Sequence, residues 1–232
     1  VIALTWLRGL IRRPGRLVVV TLGVALAVAM LATLGGFLGT SKATMTRRSV
    51  SSVAVDWQVQ ASTGVDPGAV ARTVAADPRV RATQVVGFAD SPGFTATSNG
   101  TTQSTGAGVV LGIPDAYRAT FPAEIRTLVG PTRGVLVTQQ TAANLHAAPG
   151  DTITIARAGL APVTVKVDGI VDLPQANSLF QKVGAPPGAQ PQAPPDNIVL
   201  LPDRVWHQAF DPVAMLRPDQ VRTQIHARLD HH

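Results

Sequence analysis

The hydrophobic pattern divides the chain unevenly. Leu17 to Leu38 form a run of 22 residues, LVVVTLGVALAVAMLATLGGFL, without a charge. At about 1.5 Å per residue this helix would be about 33 Å long, enough to cross a hydrocarbon core of about 30 Å. From about Val50 onward apolar and polar residues are interleaved, and no second run of this kind follows. The pattern predicts one membrane helix and one water-exposed domain. Ahead of the run, Ala3, Leu7, Leu10 and Ile11 share one helical face, and Arg8 and Arg12 share another. This predicts an amphipathic in-plane helix over 1–14 with Trp6 at the membrane interface. Pro14-Gly15 ends it and bends the chain into a span over 15–40.

The remaining pattern predicts a mixed α+β domain of two lobes. Val53, Val55, Trp57 and Val59 alternate with polar or small neighbours, as a half-buried strand does. Asp66-Pro67 supplies an N-cap and first-turn pair for a helix to about Ala76, which Asp77-Pro78 ends. Val80 to Phe88 reads as a strand, residues 94–97 and 101–104 as a hairpin around Asn99-Gly100, and Val109 to Ile113 as a further strand. These complete a first lobe over 41–121. A β-rich inserted lobe over 122–212 follows: a strand at Gly134–Val137, a helix capped by Thr138 to about His146, a turn at Pro149-Gly150-Asp151, and strands at Thr152–Ala156 and Val163–Val171. A strand at Ile198–Leu201 and a helix at Asp203–Phe210 close it. Residues 186–195 hold five of the 18 prolines and read as an exposed loop. Val221 to Leu229, within 213–232, reads as a strand returning to the first lobe.

Charge separates along the same boundary. The chain carries net +6, but residues 1–48 hold seven cations and no acid, which leaves 13 cations against 14 acids for the rest. The basic excess therefore belongs to the membrane flanks, where Arg8, Arg12, Arg13 and Arg16 face anionic headgroups. With aromatics at 4% and no basic patch in the folded part, nucleic-acid binding is excluded. Four arginines before the span against Lys42, Arg47 and Arg48 after it orient the N-terminus to the cytoplasm. The absence of cysteine agrees with an extracytoplasmic domain, which needs no reducing compartment. Ser41-Lys42-Ala43 offers a small-x-small cleavage site, but a signal core is usually about 7–15 residues, and the longer run here argues for a retained helix.

The span carries small residues on one stripe, Ala25, Ala29, Ala32 and Gly36, and Gly35 to Gly39 form a GxxxG. Small residues let helices approach closely in lipid, which predicts packing against further helices. Chemistry, by contrast, is absent from the pattern. There is no GxxxxGK[ST] for nucleotide phosphates, no HExxH or paired Cys/His spacing for a metal, and no GxSxG elbow. His146, His207 and His226 stand apart without a motif, and Asp66, Asp77, Asp115, Asp151 and Asp203 sit beside proline or glycine, where aspartate caps backbone. Glu124 is the single glutamate. Asn99-Gly100-Thr101 matches a glycosylation sequon as well as a hairpin tip. No catalytic, metal or cofactor residue is assigned, and the chain is not expected to be an enzyme.

Three stretches carry a resemblance. RGLIRRPGRLVVVTLGVALAVAML resembles the start of the FtsX-like, MacB-type permeases of ABC transporters: an amphipathic helix, a basic bend, then the first membrane helix. GVLVTQQTAANLHAAPGDTITIARAGLAPVTVKVDGIVD, residues 134–172, is similar to the family's extracytoplasmic segment at Gly150-Asp151 and Val167-Asp168-Gly169-Ile170. VRTQIHARLD resembles the strand that returns the chain toward the membrane. The resemblance implies the N-terminal part of a permease in the cell membrane. ATP and magnesium would be handled by a separate ATPase subunit, and further permease helices or a second permease copy would complete the unit. It also implies contact with membrane lipids and with an extracytoplasmic lipoprotein or hydrolase. Such a protein passes ATP-driven motion outward by mechanotransmission, for export or for handling lipoproteins and lipids. A permease would continue past His232. The alternative from a different class is a single-pass anchored binding or sensor module.

Overall fold

The structure is a computed structural model, described here for residues 18–19, 21–33, 55–98, 100–184, 186 and 193–230. It divides into two units, 1–51 and 52–232. Of the first, the described part is a helical segment over 18–33, exposed throughout. Among the described residues no helix is long and apolar enough to cross a membrane. The full run Leu17–Leu38, like the amphipathic helix expected over 1–14, extends outside the described residues.

The second unit is a mixed α+β domain with two sheets. Strands β1 (Trp57–Gln60), β2 (Val80–Ser91), β3 (Phe94–Ser98), β4 (Thr101–Ser104), β5 (Gly108–Ile113), β6 (Arg126–Val129), β7 (Leu136–Thr138), β8 (Thr152–Arg157), β9 (Leu160–Lys166), β10 (Gly169–Asp172), β11 (Ile198–Pro202) and β12 (Val221–Leu229) follow in chain order. The helices are α1 (Pro67–Ala75), α2 (Tyr117–Thr120), α3 (Gln139–Leu145), α4 (Ala176–Leu179) and α5 (Asp203–Leu216). Eight strands form one sheet in the order β1-β12-β2-β5-β11-β7-β10-β6, and four form another in the order β4-β3-β8-β9. In the large sheet β5 runs parallel to β11, and β7 to β10. Its other pairs are antiparallel. The segments expected as lobes, 41–121 and 122–212, each supply strands to both sheets, and 213–232 places β12 between β1 and β2.

The centre of the large sheet is buried on both faces, which is why β5 and β11 read as unbroken apolar runs rather than alternating ones. Alternate residues go to opposite cores. Val109, Leu111, Leu136, Ile198 and Leu200 pack with Val86 and Phe88 under Tyr117, Phe121, Leu179 and Phe180. Val110, Val137, Val199 and Leu201 face the other way, onto α5, α3 and the small sheet. On α5, Trp206, Ala209, Phe210 and Val213 are buried, the 3- and 4-residue spacing of one helical stripe. Trp206 lies over a gap made by two cross-strand partners, Gly87 and Gly112. A Cβ at either glycine would stand 2.6 Å from the indole ring.

Local signals explain most boundaries. The Asp66 carboxylate accepts from the N–H groups of Gly68 and Ala69 at 2.9 and 3.1 Å, and Pro67 opens α1 as expected. Gly100, at φ +78°, sits in the β3–β4 hairpin turn, while Asn99 lies outside the described residues. Three expectations are corrected. Val163–Val171 is not one strand: β9 ends at Lys166 in the small sheet, and β10 begins at Gly169 in the large one. Thr138 occupies the N-cap position of α3 but makes no cap bond, because its hydroxyl meets that of Thr141 at 2.8 Å. The helix begun at Asp203 does not stop at Phe210, and its buried stripe carries it past Pro212 to Leu216.

Candidate functional site

The residues singled out for the membrane divide cleanly. Ala25, Ala29 and Ala32 lie on the exposed helical segment, where with Thr21, Val24 and Val28 they line a shallow trough. The Thr33 hydroxyl donates to the Ala29 carbonyl at 2.7 Å, so this polar side chain is satisfied by its own helix. Trp6, Arg8, Arg12, Arg13, Arg16, Gly35, Gly36 and Gly39 lie outside the described residues.

The Gly150-Asp151 and Val167-Asp168-Gly169 stretches, separate in sequence, meet in space. Gly150 N–H donates to the Val167 carbonyl at 2.7 Å, and Val167 N–H returns to the Asp151 carbonyl at 2.8 Å. The Asp151 carboxylate accepts from Ala148 N–H, which closes the turn before β8. One residue on, the Asp168 carboxylate accepts from Val135 N–H at 2.7 Å, while Asp168 N–H donates to the Val135 carbonyl at 2.8 Å. Gly134, at φ +101°, leaves room for that carboxylate; a side chain there would collide with it. This exchange at Asp168 sends the chain from the small sheet into the large one. Asp168→Ala removes a charged acceptor from a partly buried N–H, and a cost of about 1–3 kcal/mol is expected. Thermal unfolding of the variant checks it, with Asp168→Asn expected to lose less. Equal stability of wild type and Asp168→Ala would mean the exchange does not hold the crossover.

The two ends of the described part of the domain lie together. Residue 56 precedes β1 and residue 230 follows β12, and the two strands pair antiparallel. Leu229 N–H donates to the Asp56 carboxylate at 2.8 Å. Asp230 N–H donates to the Arg79 carbonyl at 2.7 Å, and the Asp230 carboxylate pairs with Arg81 at 2.9 Å. The first and last strands are thereby tied to each other and to β2.

A polar seam runs along the same strands on their inner face. Arg222, Gln224 and His226 share one face of β12 by strand alternation. His226 is fully buried among Phe88, Tyr117 and Phe121, and burial lowers its pKa to about 3. The neutral ring carries one proton. Gln224 Oε1, which can only accept, lies 3.3 Å from Nε2, so the proton sits on Nε2 and Nδ1 accepts from the Tyr117 hydroxyl at 2.9 Å. Burial, and then the neighbouring Glu124 charge, raise the Tyr117 pKa well above its ordinary value. Glu124 is itself fully buried with no hydrogen-bond partner on either oxygen, and burial raises its pKa to about 7. The seam opens at Gln224 and Arg222 into a cleft of about 700 Å³ bordered by Gln60, Asp90, Phe180 and Lys182.

A family model described as the MacB-like periplasmic core domain matches residues 17–231. The chain belongs to that family. Two solved structures share similarity with this MacB-like domain. One is a domain of a Porphyromonas gingivalis protein described as a permease, 16% identical, with a TM-score of 0.41, covering 75% of this chain and 71% of that one. The other is the periplasmic region of MacB from Actinobacillus actinomycetemcomitans, 13% identical, with a TM-score of 0.40, covering 75% of this chain and 68% of that one. No curated protein matches the chain.

The MacB-like domain is an extracytoplasmic domain of a membrane protein. Among its described residues no three potential metal ligands converge. Two elements of the seam escape a sequence reading. Arg222, Gln224 and His226 alternate with Thr223, Ile225 and Ala227 and resemble a solvent face, yet Gln224 and His226 are buried. Glu124 carries one signal: it is the single glutamate in a chain that otherwise uses aspartate. The histidines differ in setting. His207 is exposed, 2.8 Å from Asp211, and His146 ends α3 in the left-handed region at φ 50°.

Proposed function

We propose that this chain is the N-terminal part of a permease subunit of an FtsX-like, MacB-type ABC transporter. One observation carries the reading: the family match begins at residue 17, where the apolar run begins, and continues through the whole extracytoplasmic domain. The run Leu17–Leu38 is then a membrane helix with a cytoplasmic N-terminus, Arg8, Arg12, Arg13 and Arg16 lying at the inner headgroups. ATP and magnesium are bound and used on a partner ATPase, and this chain is not an enzyme. Ala25, Ala29, Ala32, Gly35, Gly36 and Gly39 give the helix a face on which further permease helices, or those of a second copy, pack closely. Closure of the ATPase displaces the helix. The displacement enters the domain at the tied β1–β12 pair, which supports mechanotransmission because the first and last strands cannot move apart without breaking the Asp56–Leu229 bond. The outer domain then acts on a lipoprotein, a lipid or an extracytoplasmic hydrolase.

The test is isolation of the tagged full-length protein from its own membranes in mild detergent. ATP hydrolysis is expected to co-purify in a fixed ratio to the tagged chain. A high yield of folded protein with no associated ATPase, repeated in several mild detergents, would sink the reading and leave the anchored binding module.

A further inference from the structure

We infer that the cleft at the head of β12 is a carboxylate-binding site, in which Arg222 and Gln224 hold the carboxylate of a ligand with an apolar body. The cleft lies at the far end of β12 from the strand ends tied at Asp56 and Leu229. The seven steps from Arg222 to Leu229 correspond to about 23 Å of strand. Its volume, about 700 Å³, lies in the range of small-molecule sites.

The donors at its floor are unspent. Gln224 is 3% exposed, and its carboxamide oxygen faces the His226 ring. Its Nε2 group has no hydrogen-bond partner among the described residues, and the residue lines the cleft. Its two N–H bonds meet the open cleft rather than sealed protein, so a ligand acceptor can take the place of solvent there. Arg222 donates through Nη1 to Asp90 at 3.2 Å, and its remaining N–H groups have no partner among the described residues. Its guanidinium stacks on the Phe88 ring at 4.9 Å, which fixes the plane of the fork. Lys182 adds a second positive charge at the rim, and Phe180, Val109 and Pro92 supply apolar wall. An amide donor beside a pre-oriented guanidinium matches the two oxygens of a carboxylate. His226 contributes by holding the Gln224 oxygen, which turns the amide nitrogen toward the cleft. The site does not depend on the transport reading.

A free small carboxylate and the carboxyl end of a peptide share this chemistry. The test titrates the full-length protein in detergent with N-acetyl-leucine, its amide, and a pentapeptide ending in leucine as acid and as amide. Each acid is expected to bind at least about tenfold more tightly than its amide, the worth of a charged hydrogen bond. Tighter binding of the pentapeptide acid than of N-acetyl-leucine assigns the ligand to a chain terminus, and equal binding assigns it to a small molecule. Arg222→Gln is expected to abolish the preference for the acid, and Arg222→Lys to keep only part of it. Asp90→Asn frees the guanidinium from its competing carboxylate and is expected to tighten acid binding several-fold, which a merely structural Arg222 would not do. Equal binding of acid and amide, an acid preference that survives Arg222→Gln, or no binding of any probe up to about 5 mM overturns the proposal.

Discussion

Trp206→Ala is expected to cost the extracytoplasmic domain about 3–5 kcal/mol, a large part of the 5–15 kcal/mol that holds a typical domain folded. The indole is 2% exposed, and its Nε1–H donates to the Val110 carbonyl at 3.1 Å. It fills a slot that exists because Gly87 and Gly112 face each other across β2 and β5 without side chains. The same geometry predicts that Gly112→Ala is destabilising by about 1–3 kcal/mol, since its new methyl would meet the indole at 2.6 Å and force it from its rotamer. The two changes are expected to be non-additive. In a Trp206→Ala background the slot is empty, and Gly112→Ala should then cost little or even recover stability. Urea unfolding of the four proteins in this cycle checks it. If Gly112→Ala costs the same with and without Trp206, the slot is not what the tryptophan is there to fill.

How much of this was legible in the sequence depends on how local its cause is. The α1 cap at Asp66, the β3–β4 hairpin and the apolar strands β5 and β11 each rest on a few adjacent residues, and each is found where the pattern places it. The short elements α2, β6 and α4 have four residues apiece, too few to show a period, and are held by the core they cover. The split between β9 and β10 has a cause 33 residues away, since Asp168 turns there because Val135 N–H lies opposite. The slot under Trp206 likewise joins Gly87, Gly112 and a helix 96 residues beyond Val110, none of which announces the others. The polar face of β12 is the plainest case. Period-two alternation states that Arg222, Gln224 and His226 share a side, but not whether that side is wet. Tyr117, 109 residues from His226 along the chain, closes the His226 end of the seam, while Arg222 at the other end borders the cleft. Family membership was legible from the apolar run, the Gly150-Asp151 pair and the Val167-Asp168-Gly169-Ile170 stretch, all within the matched residues 17–231; the cleft was not.

Glu124→Gln is expected to change the pH dependence of stability by close to one proton. The carboxyl is fully buried without a hydrogen-bond partner, and burial raises its pKa from 4.5 to about 7. Below pH 4.5 it is protonated in both folded and unfolded chains and has no effect. Between pH 4.5 and about 7 the unfolded chain loses this proton while the folded chain keeps it, so the contribution to stability falls as pH rises. The full loss, about 3 kcal/mol, is reached above pH 7. His226 acts in the opposite sense. Its folded pKa, lowered to about 3, makes the unfolded chain the better proton binder up to the ordinary histidine value, so its contribution grows with pH over that window. The two slopes oppose each other between about pH 4.5 and 6.5, and the wild-type protein is expected to be nearly flat there. Asp77 and Asp219, with pKa values lowered to about 2 by Arg79 and Arg217, lose their contribution only at lower pH. Replacing Glu124 by glutamine leaves the His226 slope uncompensated. The stability difference between variant and wild type should therefore be near zero at pH 4.5 and favour the variant by up to about 3 kcal/mol at pH 7.5, as read from urea midpoints in matched buffers. A difference that does not vary with pH would show that Glu124 titrates as an ordinary solvated carboxylate. As pH falls from about 6.5 to 4.5, the stability lost at His226 is therefore offset by the stability regained at Glu124.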